Sequence, residues 1–117
     1  IESGRNMSTY NPDKWLVVKI TGNDLPPVYK VFGCWYGGYA GSDSWKLNSG
    51  ITKATLEGFV YSFEGSSGSV YECHKDCFGT SMFGWGVMTA MMNDAKERGV
   101  TIEVVPEETN FLELNYE

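Results

Sequence analysis

The 117-residue chain is poor in histidine and in basic residues, and both shortages limit its chemistry. His74 is the single histidine, so any mechanism that pairs a nucleophile with an imidazole must use it. Nine lysines and arginines are scattered along a chain whose formal net charge is −6. A protein that neutralises nucleic-acid phosphates needs clustered basic residues. Direct nucleic-acid binding is therefore not expected.

The chain also lacks long apolar runs and the common catalytic signatures. No apolar segment approaches the ~20 residues of a membrane span, and no basic-then-apolar stretch resembling an export signal opens the chain. The phosphate-loop GxxxxGK[ST], the dinucleotide GxGxxG and the esterase GxSxG motifs are absent as well. We therefore expect a cytoplasmic protein without membrane contact that binds rather than catalyses, with no cofactor and no metal.

Three cysteines leave one unpaired in any disulfide scheme, which favours a reducing compartment. Cys73 and Cys77 lie close to His74, and this segment is the one place where a nucleophilic centre could form. Within a strand, however, Cys73 and His74 point to opposite faces. A small hydrolase or transferase that uses Cys73 or Cys77 with His74 is therefore the alternative to a binding protein.

Length and composition favour one domain. At this length one core is sufficient, and an aromatic share of 15% supplies much of its apolar surface. We predict a single α+β domain over residues 13–117. Residues 1–6 share no pattern with the rest of the chain, so we interpret them as an appended segment outside the fold.

The hydrophobic pattern predicts an antiparallel sheet of five to six strands, arranged as a meander, with one helix packed on one face. Short β-branched or alternating segments bounded by turn residues indicate strands at 15–21, 28–36, 51–56, 59–64, 69–75 and 100–105. The predicted helix runs from Ser81 to Arg98, before Gly99. Its apolar stripe consists of Val87, Met88, Met91, Met92 and Ala95.

The loop between the second and third predicted strands has the strongest indications of a binding site. Its glycines expose backbone N–H groups, and hydroxyl, carboxylate, ammonium and aromatic groups surround them. Free N–H groups at the helix start also favour an anion. These features predict a small anionic ligand such as a nucleotide. The predicted ligand-binding residues are Tyr36, Tyr39, Ser42, Asp43, Ser44, Trp45, Lys46, Thr80 and Ser81.

The same residues have a purely structural interpretation. Asp43 and the serines are typical of turns, and the aromatic side chains could fill a core that glycines allow to pack closely. Under this interpretation Trp45 contributes stability and Lys46 contributes only solubility.

Two segments, WYGGYAGSDSWKLNSGI and SGSVYECHKD, together with Gly79-Thr80-Ser81, resemble a family of small uncharacterised bacteriophage-type proteins. The likeness extends from about Trp15 to Met91. The resemblance implies no activity, cofactor or site residue. It does imply an accessory protein of the host cytoplasm that binds and neutralises a host component, either a small anionic ligand or a host protein. A homo-oligomer is compatible with both alternatives.

Overall fold

A computed structural model describes residues 8–22, 24–37 and 43–116 of the chain. Over these residues the chain forms eight strands and one α-helix, so the predicted α+β class is confirmed. The strands are β1 (Thr9–Tyr10), β2 (Lys14–Gly22), β3 (Leu25–Trp35), β4 (Ser44–Leu47), β5 (Ile51–Glu57), β6 (Val60–Gly65), β7 (Val70–His74) and β8 (Val100–Val104). The helix α1 spans Met82–Glu97.

The strands form two four-stranded sheets, which corrects the prediction of a single meander of five to six strands. Sheet 1 has the order β1-β7-β6-β5, and sheet 2 has the order β4-β3-β2-β8. All pairings are antiparallel except that of β1, which runs parallel to β7. Local alternation identifies strands, but it does not show that the chain changes sheets between β4 and β5. The change occurs because each sheet has an apolar face that needs the other as cover.

An aromatic cluster fills the space between the sheets. Trp15 of sheet 2 is 1% exposed, and its ring meets Tyr61 and Phe63 of sheet 1 at centroid distances of 5.9 and 5.6 Å. Phe78 and Phe111 complete its surroundings at 5.0 and 5.6 Å. Such ring pairs add about 0.5–1.5 kcal/mol each beyond the area that they bury. The cluster therefore fixes how the two sheets face each other.

Helix α1 covers the opposite face of sheet 2. Met88 is fully buried there against Phe32 and Leu16, and the predicted stripe residues Val87, Met91 and Met92 pack around them while Ala95 is buried near the helix end. Ser81 caps the helix by accepting a hydrogen bond from the Gly84 N–H at 3.0 Å. Within the described residues, no helix combines the length and apolar character that crossing a lipid bilayer requires.

Candidate functional site

Two adjoining cavities open beside β4, and they share the side chains of Tyr10 and Lys46. The larger one, the aromatic cavity, has a volume of about 510 Å³ and is lined by Thr9, Tyr10, Asn11, Trp35, Ser44, Trp45 and Lys46. The smaller one, the polar cavity, has a volume of about 240 Å³ and is lined by Tyr10, Lys46, Leu47, Asn48, Ser49, Ser67, Ser69 and Tyr71. We call the two cavities together the Lys46 site.

The register of β3 and β4 places the central residues of the Lys46 site on one face. Ser44 lies opposite Trp35, and Lys46 lies opposite Gly33. Because side chains alternate along a strand, Ser44 and Lys46 both point to the face of sheet 2 that looks toward sheet 1. Trp35 is anchored there by its indole N–H, which donates to the Asn11 carbonyl at 3.0 Å.

Tyr10 forms the wall between the two cavities. Its ring meets that of Trp35 edge-on at 6.4 Å, which gives the aromatic cavity two neighbouring rings. The Lys46 Nζ lies 5.2 Å from the centroid of the same Tyr10 ring. This cation–π contact holds the ammonium group where both cavities meet.

Asn48, which lines the polar cavity, carries a buried donor that has no acceptor among the described residues. Asn48 is only 4% exposed, and its Oδ1 accepts a hydrogen bond from the Val31 N–H at 2.9 Å. That bond fixes the orientation of the amide, and the Nδ2 group has no hydrogen-bond partner among the described residues. A Cβ at Gly65 would lie 3.2 Å from this Nδ2, so the glycine leaves room beside it. An unpaired buried donor costs about 1–3 kcal/mol.

The charge and protonation of the lining favour an anion. Lys46 is a cation, and neither set of lining residues includes a carboxylate. Burial, with smaller effects of Tyr10 and Cys73, raises the pKa of Tyr71, so its hydroxyl remains a protonated donor at neutral pH. A cation surrounded by hydroxyl and amide donors suits a phosphate or carboxylate ligand.

The loop residues predicted from the sequence divide between the cavity and its support. Ser44, Trp45 and Lys46 line the aromatic cavity. The Asp43 Oδ1 accepts from the Gly37 N–H at 2.8 Å, so this carboxylate closes the loop instead of facing the cavity. The Tyr36 N–H donates to Asp13 at 2.8 Å. Tyr39 and Ser42 lie outside the described residues.

The helix-start residues lie on the other face of sheet 2. The Thr80 hydroxyl is 3.0 Å from the Cys34 Sγ, and Cys34 is the register partner of Trp45. The Trp45 ring stacks on Phe32 at 5.6 Å, on this same helix face. Thr80 therefore lies on the same face of sheet 2 as the Trp45 ring, and neither Thr80 nor Ser81 lines the Lys46 site.

Several lining residues were not among those predicted from the sequence. Tyr10 and Trp35 supply two of the three aromatic residues of the aromatic cavity, and Asn48 supplies the unpaired donor. The alternation of Ser44, Trp45 and Lys46 in one strand already separates Trp45 from Lys46. By contrast, β1, β3 and the Gly65–Ser69 turn come together only in the tertiary structure. No local sequence pattern therefore predicts that they line one site.

The cysteine–histidine segment has a geometry that disfavours nucleophilic catalysis. Cys73 is fully buried between the sheets, and burial is the main cause that raises the pKa of its thiol far above the usual range. The His74 Nδ1 accepts from the Asp76 N–H at 3.2 Å, and its ring stacks near Phe59. In the described part of the chain, no three His, Cys, Asp or Glu side chains form a group that could hold a metal ion.

In comparisons with models of protein families, with curated proteins and with solved structures, the chain matches none.

Proposed function

We propose that this protein is a non-enzymatic binding protein that holds a small anionic ligand, such as a nucleotide, in the Lys46 site. The observation that carries the proposal is the unpaired Nδ2 group of Asn48. Asn48 lines a cavity together with the Lys46 cation and hydroxyl-bearing residues, and that cavity shares Tyr10 and Lys46 with a second one that contains rings. The polar cavity fits the charged part of the ligand, and the aromatic cavity fits its ring.

The size and chemistry of the two cavities match such a ligand. Small-molecule sites usually occupy about 300–1,000 Å³ and combine apolar walls with a few polar groups that fix orientation. A phosphate in the polar cavity would accept hydrogen bonds from Lys46 and Asn48. A base in the aromatic cavity would contact Trp35 and Tyr10, and stacking of one base on an aromatic side chain contributes about 1–3 kcal/mol.

The biological role that we propose is sequestration. The resemblance to bacteriophage-type proteins implies an accessory protein that neutralises a host component in the cytoplasm. The Lys46 site contains groups that bind an anion but no nucleophile next to a histidine. A protein of this kind would act by lowering the free concentration of its ligand.

A host protein is the second candidate partner, and the start of α1 favours it. Met82, Phe83 and Trp85 are exposed there to 93%, 41% and 51%, and no acidic residue lies in the first turn. Aromatic residues and methionine are enriched at protein interfaces. Because the chain is acidic, this partner would have a basic surface around an apolar pocket. A Phe83→Ser, Trp85→Ser variant should lose this partner and keep the nucleotide-dependent rise in melting temperature.

The test of the proposed ligand is a set of melting curves with mono-, di- and cyclic nucleotides, and with inorganic phosphate and free nucleosides as fragments. A ligand present at a hundred times its Kd should stabilise the fold by about 2.7 kcal/mol. We expect a nucleotide to raise the melting temperature more than either fragment. The Lys46→Gln variant should lose most of this rise, whereas Lys53→Gln, which changes an exposed lysine of β5, should keep it.

Two results would contradict the proposal. One is a melting temperature that no nucleotide changes at millimolar concentration. The other is an equal rise in the wild type and in Lys46→Gln, since a bound anion must depend on the cation beside it.

A further inference from the structure

A second cleft, separate from the Lys46 site, lies where the segment after β8 crosses the end of the sandwich. Its volume is about 700 Å³, and it shares no lining residue with the Lys46 site. The floor contains the aromatic residues of the core, among them Trp15, Tyr61 and Phe78. The rim is polar and comes from the segment after β8 and from the turn after β7.

The rim of this cleft has an excess of negative charge. Three of its side chains are carboxylates, Asp76, Glu107 and Glu108, whereas Lys75 is its one cation. Glu107 and Glu108 are exposed, and within the described residues neither forms an ion pair. Thr109 adds a hydroxyl beside them, and the Asn110 Oδ1 accepts from the Leu112 N–H at 3.1 Å. The charge of the rim therefore favours a cationic group.

The floor contains a second and independent indication of a ligand. Tyr61 is 8% exposed and lines the cleft, yet its hydroxyl has no hydrogen-bond partner among the residues that the structure describes. This oxygen is not among the fully enclosed polar atoms that lack a partner, so it is open to the cleft. Trp15, beside it, already donates its indole N–H to the His74 carbonyl at 2.6 Å. The Tyr61 oxygen thus remains available to a group that enters the cleft.

We propose that this cleft binds a guanidinium group. A guanidinium is a planar cation with five N–H donors and weakly hydrated faces, so it can contact aromatic side chains while it donates to carboxylates and to a hydroxyl oxygen. An alkylammonium group is more strongly hydrated and fits an aromatic floor less well. The group belongs either to a small free guanidine or to an arginine side chain of a peptide, and both present the same chemistry.

The test is a titration of the isotope-labelled full chain with propylguanidine and with a blocked arginine tripeptide, followed by NMR. Both probes should shift the Trp15 indole signal, and the shifts should weaken as salt is added. Tighter binding of the tripeptide than of propylguanidine assigns the site to an arginine side chain. Equal affinities for the two probes assign it to a free guanidine. Butylamine and the matching citrulline tripeptide, which lacks the positive charge, should bind at least about tenfold more weakly.

Variants locate the binding in the cleft. Glu107→Gln with Glu108→Gln keeps the size of both side chains and should weaken propylguanidine binding about tenfold or more, because two charged acceptors are lost. Tyr61→Phe removes only the unpaired hydroxyl and should weaken binding several-fold without lowering the melting temperature. Glu72→Gln, which changes an exposed carboxylate of β7, should bind like the wild type.

Any of three results would overturn the proposal. The first is no shift with either guanidinium probe at millimolar concentration. The second is unchanged affinity in the double glutamine variant, and the third is equal affinity for butylamine. The melting temperatures of all variants, measured alongside, show whether the fold is intact.

Discussion

The two faces of sheet 2 bury different kinds of residues. The helix face is apolar and closed, because Met88 of α1 packs on Phe32 of β3 there. The inner face is apolar only near its centre, and beside β4 it opens into cavities that contain Lys46 and the unpaired amide of Asn48. Neighbouring residues of one short strand therefore serve packing on one side and the proposed binding on the other.

The largest expected effect comes from a charge placed on the closed face. Met88 is fully buried, so Met88→Asp should leave a carboxylate without a partner in an apolar environment and cost about 3–5 kcal/mol. That is a large share of the ~5–15 kcal/mol that stabilises an ordinary domain. Met82→Asp introduces the same charge in the same helix at a position that is 93% exposed. Chemical denaturation should show a severe loss of stability for Met88→Asp and almost no loss for Met82→Asp.

The next effect concerns the closeness of α1 to sheet 2. A Cβ at Gly84 would overlap with the Thr80 hydroxyl and the Cys34 sulfur. Gly84→Ala should therefore cost about 1–3 kcal/mol through overpacking. Gly86 lies two residues along the helix, where a Cβ would meet nothing within 4 Å. Gly86→Ala should stabilise the protein by about 0.5–1 kcal/mol, because alanine favours the helix. Equal free energies of unfolding for the two variants would contradict this account of the helix face.

A pair of substitutions in β4 separates the two faces directly. Trp45→Ala removes the ring that stacks on Phe32 and should cost about 1–2 kcal/mol of stability, because Trp45 is only partly buried. Trp45 also lines the aromatic cavity, but its ring stacks on Phe32, so the affinity of Trp45→Ala for the nucleotide found by the melting screen should fall less than that of Lys46→Ala. Lys46→Ala should have the opposite profile, with a small loss of stability and a large loss of affinity. Calorimetric titration and denaturation of both variants measure the two effects, and a loss of affinity in Trp45→Ala alone would place the ligand on the helix face.

The smallest effect is a decline in stability at alkaline pH. The pKa values of Tyr71, Cys73 and Tyr116 are all raised, with burial as the main cause in each case. Below the ordinary pKa values of cysteine and tyrosine, about 8.5 and 10, these groups are protonated in both states and stability is constant. Above them the unfolded chain releases protons that the folded chain retains, so the free energy of unfolding falls as pH rises.

Denaturant titrations between neutral and alkaline pH measure this decline. A protein whose stability rises over that interval would contradict the sign of the three shifts. Alkylation of the native protein provides a second check, because the buried Cys73 should react far more slowly than free cysteine. Rapid modification of Cys73 would instead favour the alternative of a cysteine-dependent enzyme.

Much of the fold was predictable because its signals are local. Alternation and turn residues located the six longer strands, and Ser81 with Gly99 bounded the helix close to its observed ends. Thr9–Tyr10 is too short to have a periodicity, and Ser44–Leu47 comes directly after a glycine-rich loop, so both strands were missed. The division into two sheets depends on contacts such as that of Trp15 with Phe63, which join distant parts of the chain.

The site was predictable in part, for a related reason. Lys46 and Ser44 stand out locally as polar residues beside a glycine-rich loop, and both line the aromatic cavity. The grouping of Lys46 with Thr80 assumed that one ligand could reach both, whereas the structure separates them by the thickness of sheet 2. Asn48 gives no local sign of its role, because an asparagine before a serine and a glycine is typical of any turn.

The two-residue strand β1 links the Lys46 site to the local stability of the chain. Tyr10 forms the wall between both cavities, yet β1 is held to sheet 1 by few bonds, among them the one from the Val70 N–H to the Ser8 carbonyl at 2.8 Å. Segments with so few contacts open more often than the core. A ligand that contacts Tyr10 must pull this equilibrium toward the closed form. Under the proposed binding, the hydrogen-exchange rate of the Val70 amide becomes a gauge of site occupancy, slow with a bound ligand and faster when β1 is free to detach.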